Sequence, residues 1–253
     1  MNYNTERILK DFIKDKLIKF IYPYLLSDPN NFEKLLGSGV GVYLGKTNMI
    51  ELNRSLNTFY EELDIESLKS KINFQKEVKN LTLTNSKINI LTFNNLSNKP
   101  FLNIFDVWRK RLSLLRFCRI STDLLLLNEG QQIPPHAHRG VLSGFILLEG
   151  KVSIKHFHAK EYKDNGIVCK KTIDKTLEVG GYTTNTDNQD NIHWLKGEAE
   201  KSILFRFNMT GLKSEIPELN DLEGRIYIDP TSINEVNKLA PFINSKEVKL
   251  LKF

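Results

Sequence analysis

The chain is short of several things. Its longest purely apolar runs, such as Leu124–Leu127 and Phe145–Leu148, fall far below the ~20 residues a membrane-spanning helix needs. It has only two cysteines, Cys118 and Cys169, too few for a disulfide framework. The N-terminal Met1-Asn-Tyr-Asn-Thr-Glu lacks a basic segment followed by an apolar one, so no secretory signal is expected. A soluble, reduced, cytoplasmic protein follows as the expectation. The net charge of +6 comes from basic residues spread along the chain rather than gathered into a stripe, which argues against nucleic-acid binding. No nucleophile elbow and no cysteine beside a histidine suggests covalent catalysis. A phosphate loop is also excluded. Gly45-Lys46-Thr47 needs a glycine five residues earlier, where Val40 stands, and without it the backbone amides cannot cradle a phosphate. The segment from Gly37 to Gly45 therefore reads as a glycine-rich turn. Neither repeats nor long low-complexity tracts occur.

With 253 residues, 40% of them hydrophobic, the chain can bury a real core. Its first part reads as helical. Thr5 is placed to cap a first helix, with Ile8, Leu9, Phe12, Ile13, Leu17, Phe20 and Ile21 at helical spacing before Pro23. The lysine-rich opposite face fits a helix packed on its own domain better than one lying on a membrane. Phe32–Leu36 reads as a short helix, and residues 47–79 as helical, through Met49, Leu52, Leu56, Tyr60, Leu68 and Ile72. Residues 80–93 read as two short strands around Asn85-Ser86. Asn94–Pro100 is polar, closes with a proline and makes the best boundary. Phe101–Leu115 fits a helix better than a strand.

From Arg116 the pattern changes to short strands at short intervals, expected at 116–127, 141–148, 151–158, 166–173, 177–184, 191–195, 201–209 and 224–228. Seven or eight antiparallel strands closing on themselves leave a barrel with room for a small ligand. Thr231 is placed to cap a last short helix through Leu239. The expected organisation is a mostly helical region over 1–100, a barrel over 101–230, and a C-terminal helix and tail over 231–253.

All five histidines, His136, His138, His156, His158 and His193, fall in this barrel region. Residues i and i+2 of a strand share a face, so His136 and His138 can aim two imidazoles at one point. Two such imidazoles are half of a transition-metal site. Gly130, His136-x-His138, Ser143 and Gly150 stand at the spacings of the first motif of the cupin superfamily, which this stretch resembles. Asp190-Asn191-Ile192-His193-Trp194 resembles the second motif, and the likeness covers roughly residues 115–212. It implies an α+β, mainly β fold: a cupin-type double-stranded β-helix, or jelly-roll barrel, behind an N-terminal helical region.

The sequence departs from the superfamily at Ser143, where cupins usually carry a glutamate ligand. The cysteine dioxygenase branch also lacks that glutamate and binds iron through three histidines. The resemblance therefore implies His136, His138 and His193 as ligands of Fe(II), although zinc, nickel and manganese accept the same donors. That family often has at the Ser143 position a cysteine crosslinked to a tyrosine, and no such crosslink can form here.

On the strand Ser202–Met209, alternation puts Ile203, Phe205, Phe207 and Met209 on one face and Leu204, Arg206 and Asn208 on the other. The more apolar face suits packing on the helices, which turns Arg206 and Asn208 into the barrel. There Arg206 is the candidate partner of a substrate carboxylate, with Arg109, Arg111 and Arg119 as rivals. Ser143, Arg206 and Asn208 complete the candidate catalytic set. His156 and His158 are either further donors or residues lining the cavity. Tyr182 and Trp194 read as core or pocket wall.

The leading expectation is a non-haem iron cupin oxygenase, most similar to a thiol dioxygenase. It would act with O₂ on a small thiol or amino-acid-like molecule, with neither nucleic acid nor membrane as partner. Another metal-dependent cupin chemistry, isomerisation or oxygenation of a non-thiol, is the second reading. A non-enzymatic ligand-binding barrel is the third. Cupins are often dimers, so a homodimer is the assembly the resemblance implies.

Overall fold

In the computed structural model, the structure describes residues 31–84, 87–90, 119–212, 214, 216, 225–233, 236–244 and 246–253. The expected first helix, the boundary at Asn94–Pro100, the segment Phe101–Leu115, Arg109, Arg111 and Cys118 lie outside the described residues.

Among the described residues four helices come first: α1 (Asn31–Tyr43), α2 (Met49–Glu61), α3 (Ile65–Lys71) and α4 (Phe74–Thr84). Asn48 caps α2 by accepting from the Glu51 N–H at 2.9 Å, and Asp64 caps α3 by accepting from the Glu66 and Ser67 N–H groups. Helix α2 buries Met49, Leu52, Asn53, Leu56, Phe59 and Tyr60, the stripe expected of an amphipathic helix.

Eleven strands follow among the described residues: β1 (Lys87–Asn89), β2 (Arg119–Asn128), β3 (Gln132–Ala137), β4 (Val141–Glu149), β5 (Val152–Lys163), β6 (Gly166–Leu177), β7 (Tyr182–Asn185), β8 (Ile192–Gly197), β9 (Lys201–Thr210), β10 (Ile226–Tyr227) and β11 (Leu239–Pro241). They form two antiparallel sheets, ordered β1-β2-β9-β4-β7 and β10-β3-β8-β5-β6-β11. Within them, β2-β9-β4-β7 faces β3-β8-β5-β6. This interleaving of eight consecutive strands is the double-stranded β-helix, or jelly roll. The fold is thus a mainly β barrel of the cupin type with helices ahead of it.

Alternation on the strands sorts the side chains. Ile203, Phe205, Phe207 and Met209 of β9 join Leu124, Leu126, Leu142, Ile146 and Leu148 in one cluster with the helical Leu35, Leu52, Leu56 and Tyr60. The helices therefore cover the outer face of the five-stranded sheet, as the β9 pattern implies. Inside, Leu125, Leu127, Phe145, Leu147, Ile154, Leu195 and Leu204 fill one end of the barrel from both sheets.

Several elements differ from expectation. Gly37–Tyr43 belongs to helix α1 rather than to a turn. A Cβ at Gly39 would stand 2.8 Å from the Met209 sulfur, so the glycine lets the helix settle against β9, and that packing outweighs its poor helix propensity. Residues 80–84 complete α4 instead of forming a strand, because Leu81 belongs to the same buried cluster. The strand expected at 177–184 begins only at Tyr182, after a turn in which Gly180 has φ +86°.

The C-terminal part is not the expected helix from Thr231 to Leu239. Asp229 accepts from the Thr231 N–H at 2.8 Å and holds a single 3-10 turn, Pro230–Ser232. Leu239–Pro241 then pairs with Gly166–Val168 of β6. A second 3-10 turn, Glu247–Leu250, follows. None of the helices among the described residues is long and apolar enough to cross a membrane.

Candidate metal centre

The site begins with a break in a strand. The β3–β8 register shifts between Ile133 and His136, where Pro134 and Pro135 have no N–H to give the ladder. Beyond the shift, His136 stands directly opposite His193, so both side chains project from one face of the sheet. His138 follows two residues later. Its backbone N–H donates to Asn191 Oδ1 at 3.0 Å, while Asn191 Nδ2 donates to the Tyr162 hydroxyl at 2.9 Å. Asp187 accepts from the backbone N–H groups of Gly140 and Val141 at 2.7 and 3.3 Å. The segment before His193 thus holds the turn after His138 in place.

The three imidazoles converge. Ring centroids lie 4.5 Å apart for His136 and His138, 4.3 Å for His136 and His193, and 5.3 Å for His138 and His193. Their ligand nitrogens lie within 4.8 Å of one another, the only such metal-capable group found among the described residues.

The donor chemistry fits a metal. His136 Nδ1 lies 2.6 Å from the Pro134 carbonyl oxygen, which can only accept, so the proton is on Nδ1 and the lone pair on Nε2. That Nε2 is buried with no hydrogen-bond partner, as is His193 Nδ1. Burial holds all three rings neutral. It pushes His138 down to about 3, with the charges of Arg225 and Arg206 adding to the effect. His136 and His193 also lie well below the usual imidazole value, through burial first and then neighbouring histidines and Arg225. Neutral imidazoles with free lone pairs are what a metal ion requires. No carboxylate belongs to the group, so it suits Fe(II) or Zn(II) held by nitrogen alone.

These residues line a cavity of about 630 Å³ together with Ser143, Phe145, Arg206, Asn208, Lys87 and Arg225. The cavity therefore brings together the three expected ligands and the candidate set Ser143, Arg206 and Asn208, but not Arg119, His156 or His158. Ser143 and Asn208 are cross-strand neighbours, and the Ser143 hydroxyl donates to Asn208 Oδ1. Arg206 does reach the cavity wall, but its guanidinium is engaged. Nε donates to Asp123 Oδ2 at 2.9 Å, Nη2 donates to the same oxygen, and Lys87 Nζ lies 3.5 Å from Asp123 Oδ1.

The second His-x-His pair stands outside the three-histidine group. His156 is fully buried, with Nε2 3.1 Å from Thr183 Oγ1 and its ring 6.2 Å from that of His193. Burial, then Lys175, depresses it to about 3. His158 is half-buried further along β5. Trp194 is core, donating through Nε1 to Gln132 Oε1 at 2.7 Å, and Tyr182 reaches Glu61 at 2.8 Å. Arg119 opens β2 opposite Thr210.

Sequence reasoning missed Asp123, Lys87 and Arg225. Asp123 did leave a signal, as the charge directly ahead of the four leucines Leu124–Leu127. Lys87 and Arg225 left none.

No protein-family model and no curated protein matches the chain. Solved structures similar to it include a double-stranded β-helix domain protein from Klebsiella pneumoniae, at 14% identity. That match covers 38% of this chain and 70% of the other, with a TM-score of 0.27. The cupin domain of Cnp3 from Schizosaccharomyces pombe is 11% identical over 40% of this chain and 56% of its own, with a TM-score of 0.27. A recombinant oxalate oxidase in complex with glycolate is 12% identical over 43% of this chain and 45% of its own, with a TM-score of 0.29. At these scores they add nothing to the topology read from the strand order.

Proposed function

We propose that the chain is a non-haem iron oxygenase of the cupin fold, most like a thiol dioxygenase, that uses O₂ on a small thiol-bearing or amino-acid-like molecule. The observation that carries this reading is the meeting of three neutral, carboxylate-free imidazoles on the wall of a cavity. Iron held by His136, His138 and His193 supplies redox chemistry toward O₂ and open positions for a substrate donor.

The chain's own residues do the rest. The Pro134 carbonyl fixes the tautomer and orientation of His136. Without a ligand carboxylate the site keeps more positive charge, which favours an anionic donor such as a thiolate. Leu125, Leu127, Phe145, Leu147, Leu195 and Leu204 close the floor of the barrel and keep bulk water from that side. The Ser143–Asn208 hydrogen bond fixes two polar side chains on the opposite wall.

The test is to load the protein with iron anaerobically, measure bound metal, and follow O₂ uptake with a panel of small thiols. The expected result is stoichiometric iron and thiol-dependent uptake, both lost in His136→Ala and His193→Ala. Iron-loaded protein that consumes no O₂ with any thiol overturns the reading.

A further inference from the structure

Among the described residues, three cations, Lys87, Arg206 and Arg225, line the cavity, and no carboxylate does. Asp123 stands fully buried behind the wall. It accepts two hydrogen bonds from Arg206 and lies 3.5 Å from Lys87. One carboxylate balances one cation, so among the described residues two positive charges remain uncompensated, and a bound divalent ion would add to them.

The two arginines are not equivalent. Arg206 lies directly opposite Asp123 in the β2–β9 register, with its side chain 12% exposed. Its fork is occupied and its charge answered. Arg225 is exposed and makes no ion pair with another described residue. It directly precedes β10, whose Ile226 and Tyr227 pair with Ala137 and His136. That register brings Arg225 to the end of β3 where His138 stands. Behind burial, the Arg225 charge is among the causes that depress all three imidazoles, and it also acts on Lys87. Arg225 is therefore within electrostatic reach of the metal ligands and of the cationic wall together.

We infer that the ligand of this cavity is a small anion, and that Arg225, with Lys87 beside it, grips its anionic oxygens in place of Arg206. The chemistry shared by the candidate ligands is a carboxylate or phosphate group. Both match the planar fork of an arginine. Arg206 and Asp123 then act as a neutral, preformed wall. That this anion is the substrate rests on the oxygenase reading above; the anion site itself rests on the charges of the cavity.

Calorimetric titration of the metal-free and zinc-loaded protein at low salt tests this, using succinate, inorganic phosphate and the neutral succinamide as probes. Succinate or phosphate is expected to bind and succinamide to fail, and the stronger of the two anions identifies the group recognised. Arg225→Ala should weaken binding roughly 10- to 100-fold, as expected for loss of a charge-assisted pair. Arg225→Lys should keep part of the affinity, and Lys87→Gln should cost less than Arg225→Ala.

Binding of neither anion, or equal binding by wild type and Arg225→Ala, overturns the inference. O₂ uptake with thiols keeps the two failures apart. Uptake that ignores both Arg225→Ala and the charge of the thiol defeats the anion site and leaves the oxygenase. Anion binding through Arg225 in a protein that takes up no O₂ supports the anion site and defeats the oxygenase.

Discussion

The two ends of the barrel are built on the same strands, two residues apart. On β2, Leu125 and Leu127 belong to the hydrocarbon cluster and form the floor of the cavity, and Asp123 pairs with Arg206 behind its wall. On β4 Phe145 belongs to that cluster and also lines the cavity beside Ser143, while on β8 the change falls between Leu195 and His193 and on β9 between Leu204 and Arg206. The closed end is close-packed hydrocarbon. The other is a cavity with polar walls, where Ser143 pairs with Asn208 and Arg206 with Asp123 while the histidine nitrogens face the metal position. The hydrocarbon end supplies the stability that lets the cavity end keep buried imidazoles without partners, which is otherwise costly.

Breaking a pair at the cavity end should have the largest effect. Asp123→Ala leaves Arg206, half-buried with its side chain 12% exposed, without its partner, and should cost about 3–5 kcal/mol in urea denaturation of the metal-free protein. Replacing both residues by apolar ones of similar volume should recover most of that loss. If the single variant unfolds no more readily than wild type, the pair is not the wall described here. At the closed end, Leu204→Ala should cost roughly 2–5 kcal/mol while the folded protein still binds metal. Lost metal capacity in that folded variant means the two ends are not separable.

Smaller still is the outer contact of the sheet with α2. An added Cβ at Gly144 would meet Tyr60 Cε2 at 2.4 Å, so Gly144→Ala should destabilise by about 1–3 kcal/mol through displacement of the helix. Thermal unfolding of that variant, with and without Tyr60→Leu, checks the cause.

The gentlest probe is pH. His138 and His156 are held neutral down to about 3 in the fold, whereas the unfolded chain takes up these protons near 6.5. The unfolded state binds more protons between those values, so stability is full above about 6.5 and falls as pH drops toward 3. The denaturation midpoint of the metal-free protein should decline across that window. A flat midpoint from pH 7 to 4 means that these rings are not buried neutral.

What was legible in the sequence were features that repeat locally. The resemblance to the two cupin motifs pointed to His136, His138, Ser143 and His193, the alternation over Ser202–Met209 turned Arg206 and Asn208 inward, and all six line one cavity. Partner choice was not legible. Arg206 meets Asp123 across 83 positions of sequence, a pairing set by strand register and not by spacing. The same holds for Arg225, which reaches His138 only because β10 pairs with β3. The helix over 37–43 was hidden for another reason, since its glycines suit a turn until Met209 is packed against Gly39.

The most direct test is X-ray absorption at the iron edge of the anaerobically loaded protein, with bound iron measured in wild type and His193→Ala. A single iron with three imidazole nitrogens and no protein carboxylate, lost in His193→Ala, is the result expected. Iron retained in that variant, or a site with a carboxylate ligand, contradicts it.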